Sequence, residues 1–143
     1  MRKNSFIMLA VTLLLAVFTF TSCSKDDDPV PPGVDMNFVT FVNNSNSDVS
    51  VVVCSGSIYD FPTSNDFRIG NYAIQVVNAK SSKMLEDAAA KALLKTGNPV
   101  TLFVVNSSVL KDEGADGVRK DQTLYTRILL TSVPDNWTVT YPQ

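Results

Sequence analysis

Two short apolar runs, residues 49–54 and 100–105, constrain this chain more than anything else in it. The first, Val49-Ser50-Val51-Val52-Val53-Cys54, is mostly β-branched. Branched side chains are stiff in a helix and pack well on a pleated surface, so this run reads as a strong strand. The second, Val100-Thr101-Leu102-Phe103-Val104-Val105, is nearly continuous in apolar character, the pattern of a central strand.

The rest of the folded part is read around those strands. Residues 37–43 form a first strand candidate, with Phe38, Thr40 and Val42 on one side and Val39 and Phe41 on the other. Asn43-Asn44-Ser45-Asn46-Ser47-Asp48 is a turn, because Asn, Ser and Asp side chains bond their own backbone. With residues 49–54 this predicts an N-terminal hairpin. Residues 55–70 are irregular and carry Tyr59, Phe61 and Phe67, which are expected to fold back as lids on a core edge. Residues 69–77 read as a third strand. Ser81 and Ser82 cap a helix over about 82–96, with Leu85, Ala88, Ala89, Ala92 and Leu93 on one face and Gly97 as its stop. Glu86, Asp87, Lys91 and Lys95 take the other face, Asp87 and Lys91 four residues apart. Residues 110–122 read as a polar loop, 123–131 as a strand, Pro134-Asp135-Asn136 as a turn and 137–141 as the closing strand. The expected fold is mainly β: six strands in a small antiparallel sandwich or partly open barrel, with one helix across it.

Residues 1–36 stand apart. Arg2 and Lys3 precede an apolar run over 6–20, broken only by Thr12 and Thr19. That run is short of the roughly 20 residues a membrane span requires and fits the apolar region of a secretory leader. It ends in Phe20-Thr21-Ser22-Cys23. This resembles the bacterial lipoprotein signal, which implies a leader over 1–22, lipid on Cys23 and a tether over 23–36. Each buried CH₂ contributes about 0.8 kcal/mol, and durable anchoring takes more than one chain. Ser24, Lys25, Asp26, Asp27 and Asp28 follow directly and resemble the acidic export signal of Bacteroidota surface lipoproteins. Pro29-Val30-Pro31-Pro32 then favours an extended, semi-rigid spacer of about 3.1 Å per residue.

A second resemblance covers the C-terminal half. Residues 100–106, Leu124-Tyr125-Thr126-Arg127-Ile128-Leu129-Leu130-Thr131 and Asn136-Trp137-Thr138-Val139-Thr140-Tyr141-Pro142 are similar to a group of small uncharacterised Bacteroidota lipoproteins. The resemblance implies lineage and a β-rich fold. It implies no activity and no site.

The chemistry open to the domain at 37–143 is narrow. The formal net charge of the chain is −2, which supplies no basic surface for nucleic acid. The chain has no histidine, which removes His-based nucleophilic catalysis and His-ligated metals. Cys54 has no partner once Cys23 is lipidated and reads as a small buried side chain. Asp112-Glu113-Gly114-Ala115-Asp116-Gly117 departs from a calcium loop at Gly114 and at Thr123, so it reads as solvated loop. No carboxylate pair stands out as hydrolytic, and no enzyme or cofactor is expected. Tyr59, Phe61 and Phe67 are the candidate ligand-binding residues, since loops on a rigid scaffold carry function and aromatic rings stack on sugar faces. The expectation is an outer-membrane lipoprotein facing the cell exterior. It binds a glycan or an envelope protein without catalysis. The alternative is a structural or assembly subunit that pairs through a free sheet edge.

Overall fold

The computed structural model describes residues 35–142, and the leader, Cys23 and the tether positions Ser24, Lys25, Asp26, Asp27 and Asp28 lie outside the described residues. The elements run β1 (Asn37–Asn43), β2 (Val49–Ser55), α1 (Ser64–Arg68), β3 (Ile74–Val77), β4 (Ser81–Glu86), α2 (Ala88–Lys95), β5 (Val100–Asn106), α3 (Ser107–Lys120), β6 (Tyr125–Leu130) and β7 (Thr138–Tyr141). Seven strands make two sheets, ordered β4-β1-β7 and β3-β2-β5-β6. The expected sandwich holds, and the sheets do not close into a barrel. One pairing is not antiparallel: β7 lies parallel to β1.

The two runs that led the sequence reading are the central strands of the four-stranded sheet. β2 and β5 are buried along almost their whole length and pair over seven residues each. Their side chains divide by parity. Val49, Val51, Val53, Val100, Leu102 and Val104 enter one core with Phe38, Val39 and Phe41 of β1, Leu85 of β4 and Val139 of β7. Val52, Cys54, Phe103 and Val105 face the opposite way into a second core. Each fully buried aliphatic side chain contributes about 1.5–3 kcal/mol, so the two faces together supply most of what holds the domain.

The predicted N-terminal hairpin does not form. β1 and β2 belong to different sheets, and residues 44–48 carry the chain from one to the other. Asn43 is the device. It is fully buried, and its amide donates to the carbonyls of Ser47 (2.8 Å), Val77 (3.1 Å) and Asn78 (3.1 Å). Its oxygen accepts from the Ser45 N–H (3.0 Å) and hydroxyl (2.7 Å). A buried amide with its bonding capacity met fixes a geometry that a looser polar loop would not. The faces of β1 also differ from the simple alternation expected. A register shift between Asn37 and Thr40 is a β-bulge that lets Phe38 and Val39 both enter the core.

The helix predicted over 82–96 is two elements. Residues 81–86 are strand β4, paired with β1, and only Ala88–Lys95 is helical. Asp87 caps it, accepting from the Ala90 N–H at 2.9 Å, so Ser81 and Ser82 play no capping role. The expected Asp87–Lys91 pair is absent because Lys91 turns to Asp35 at 2.5 Å and lies 5.6 Å over the Trp137 ring. That bond to Lys91 holds the Asp35 carboxyl below its ordinary range. Gly97 ends α2 with φ +81°, a left-handed position suited to glycine.

The polar loop predicted over 110–122 is helix α3. Asn106 caps it through the Ser108 N–H, and Val109, Leu110, Ala115 and Val118 form an apolar face on the second core. Gly114, at φ +71°, kinks it. Among the described residues there are thus three α-helices, and the third strand starts at Ile74, later than the expected residue 69.

Candidate functional site

The outer face of the four-stranded sheet is covered by α3 and by the irregular stretch over 56–72. Thr101 of β5 is buried and holds the start of that stretch from below. Its hydroxyl donates to the Gly56 carbonyl (2.7 Å) and accepts from the Ile58 N–H (2.9 Å). Two arginines hold it from the sides. Arg119 of α3 donates to the Phe61 carbonyl (2.7 Å) and meets Asp60 at 3.2 Å. Arg127 of β6 donates to the Ile58 carbonyl (2.5 Å) and to Ser57 (3.1 Å). Farther along, Thr63 and Asp66 form a reciprocal capping box at the start of α1, and Asp116 of α3 accepts from the Ser64 N–H at 2.9 Å and from its hydroxyl. These bonds hold the Asp66 and Asp116 carboxyls below their ordinary values, Asp66 through Thr63 and Asp116 through Ser64.

The three aromatics nominated from the sequence separate here. Phe61 is fully buried, its ring centroid 5.6 Å from Phe103, 5.6 Å from Tyr125 and 6.0 Å from Phe67. It presents no face to solvent, so its nomination as a ligand contact is corrected: edge and tilted ring packing draws it inward. Phe67 is half-buried against the same cluster, 6.5 Å from Tyr72. Tyr59 alone stands out, with 73% of its surface exposed. The Arg127 guanidinium carbon lies 4.6 Å from its ring centroid. One face of the ring therefore rests on a cation that is itself bonded to the backbone beside it, and the other is open. An exposed cation–π contact of this kind is worth about 0.5–1 kcal/mol, enough to order a surface ring without burying it.

The arginines were missed in the sequence. The available signal was a charged residue, Arg127, alternating with Tyr125 and Leu129 along a strand. A charge at such a position needs partners, and they are the Ile58 carbonyl and the Ser57 hydroxyl.

A second concavity of about 380 Å³ opens between residues 70–75 and 86–89, with Met36 and Val53 at its floor. Its polar lining is largely engaged: the Gln75 amide bonds both the N–H and the carbonyl of Glu86, and Asp87 caps α2.

Cys54 is buried, and that burial pushes its thiol up to about 12, where it stays protonated. The lowered carboxylates serve caps and straps, and Asp121 joins them through its bond to Thr123. Asp112, Glu113 and Asp116 ride on α3, and among the described residues no three acidic or thiol side chains converge as a metal set. Among the described residues no helix is long and apolar enough to cross a membrane. No family model, no curated protein and no solved structure matches the chain.

Proposed function

We propose that this chain is a lipid-anchored, surface-displayed binding module whose ligand surface centres on Tyr59. The single observation that carries the binding reading is the Tyr59 ring, largely exposed and backed by Arg127. An open aromatic face held in one orientation is what stacking on a sugar requires, and the Arg127 contact biases the ring toward that orientation before a ligand arrives. The ligand class is therefore a glycan. The anchoring reading rests on Cys23 behind its leader and on Ser24, Lys25, Asp26, Asp27 and Asp28 after it. Such a protein sits in the outer membrane, faces the exterior and needs no cofactor.

Three experiments test the two halves. Labelled palmitate should enter the wild type and not Cys23→Ser. A non-penetrating protease should cleave the wild type on intact cells and spare a variant with alanine at 25–28. On a glycan array, Tyr59→Ala should lose binding with no change in melting temperature. Equal binding by wild type and variant would end the Tyr59 reading. A second reading, an assembly subunit that pairs through a sheet edge, is favoured by one specific observation: β6 ends its sheet with six residues in unbroken register and, among the described residues, no further strand beside it.

A further inference from the structure

Four strands end the two sheets, and three of them are closed to further pairing. β3 and β4 shield one another: Lys83 donates to the Val76 carbonyl at 3.3 Å, and the Gln75 amide occupies both backbone groups of Glu86. β4 also lies beside the bulge in β1. β7 is four residues long and is followed by Pro142, which has no N–H to continue a ladder. β6 is different. It runs six residues in unbroken register with β5, without proline, lysine or bulge. Its near neighbours are β5 and the turn at 122–124, and among the described residues its backbone makes no backbone–backbone hydrogen bond beyond the β5 pairing. A strand with those properties is a template for another.

The surface along that edge also selects what pairs with it. Leu129 is 39% exposed and shares a face of β6 with Arg127, which is overlain by Tyr59. Arg127 spends its guanidinium on the Ile58 carbonyl and Ser57, and among the described residues it meets no carboxylate, whereas Arg119 has Asp60. A cation held at a sheet edge without a counter-charge favours an acidic residue on an incoming strand. We propose that β6 receives an extended peptide segment of a partner protein by antiparallel strand addition, with a carboxylate opposite Arg127 and an apolar side chain against Tyr59 and Leu129. This rests on the assembly reading above and names its edge and the chemistry of its partner.

The test uses the full chain in detergent and a fluorescein-labelled peptide, Ser-Val-Thr-Glu-Thr-Val-Thr-Ser, read by anisotropy and by amide hydrogen exchange. Expected are saturable binding, slower exchange confined to β6, and at least a tenfold loss when alternate peptide amides are N-methylated or when the peptide glutamate becomes lysine. Leu129→Lys, at an exposed position, should weaken binding at least tenfold with an unchanged melting temperature, because an edge lysine blocks pairing. Equal binding of the lysine peptide overturns the acidic partner. Protection at β3 or β7 instead of β6 overturns the choice of edge and leaves the assembly reading standing. No binding by this peptide or by its lysine form overturns both, because every edge was offered a strand.

Discussion

The two faces of the four-stranded sheet are made in different ways. The sheet's own inner face is aliphatic, and it packs on Phe38, Val39 and Phe41 of the bulged β1, on Leu85 and Val139, and on Ala90 and Leu94 of α2. The outer face is aromatic, with Phe61, Phe67, Tyr72, Phe103 and Tyr125 in edge and tilted contact, and it is covered by a kinked helix and an irregular strap. Apolar packing fills the inner face, with strand alternation supplying the sheet's own share of it. The outer face depends on polar fasteners from Thr101, Asp116, Arg119 and Arg127. A cover held that way opens at lower free energy than the sheet beneath it. The only candidate ligand residue exposed to solvent, Tyr59, is on that cover.

Large substitutions on each face should separate the two. Phe61→Ala is expected to cost about 3–5 kcal/mol, since it removes the ring on which the outer cluster converges. Val51→Ala on the inner face should cost about 2–3 kcal/mol, from lost burial plus a small cavity. Urea titrations of both variants check the order, and an equal or reversed order would make the aliphatic face the dominant one. A smaller effect concerns access. Cys54 sits in the outer core with its thiol protonated, so a thiol reagent at pH 8 should modify it only as fast as the cover opens. Phe61→Ala should accelerate that labelling more than Val51→Ala does, even at matched stability.

The smallest effect is set by pH. Asp66 and Asp116 fasten the cover, and both have native pKa values lowered from 3.8. Their contribution is fully present above the unfolded value of 3.8 and is lost as pH falls through the lower native values. Among the described residues the buried inner core holds no carboxylate, and Asp35, also lowered, lies exposed at its margin beside Lys91. Acid should therefore loosen the aromatic near-ultraviolet signal before it melts the β-sheet signal, and Asp116→Asn should move the first change and leave the second in place. Coincident transitions would mean that the two faces unfold as one.

The same contrast explains what could be read in advance. β2 and β5 were legible because burial on both faces leaves a run with almost no polar interruption. β4 and α2 were not, because Leu85 serves a strand while Ala88 and Leu93 continue its spacing as though one helix ran through. Asp87 between them carries the boundary, as a cap. α3 was hidden by Gly114 and Gly117 and by its charges, although Val109, Leu110, Ala115 and Val118 mark its apolar face. At the candidate site, clustering in sequence placed Tyr59, Phe61 and Phe67 together. Their fates depended on which rings found partners across the sheet, and those partners, Phe103 and Tyr125, come from strands far along the chain.

The parallel contact between β1 and β7 sets a timetable. Thr40 to Asn43 sit beside Thr138 to Tyr141, so β1 waits for this neighbour until a segment almost 100 residues further along the chain has been made. Contacts between such distant segments form late, because the closing loop carries a large entropy. A chain available only as far as residue 137 has β1 paired on one side at most. The three-stranded sheet is therefore complete only once residues 138–141 are in place beside β1, whatever the order in which the other strands form.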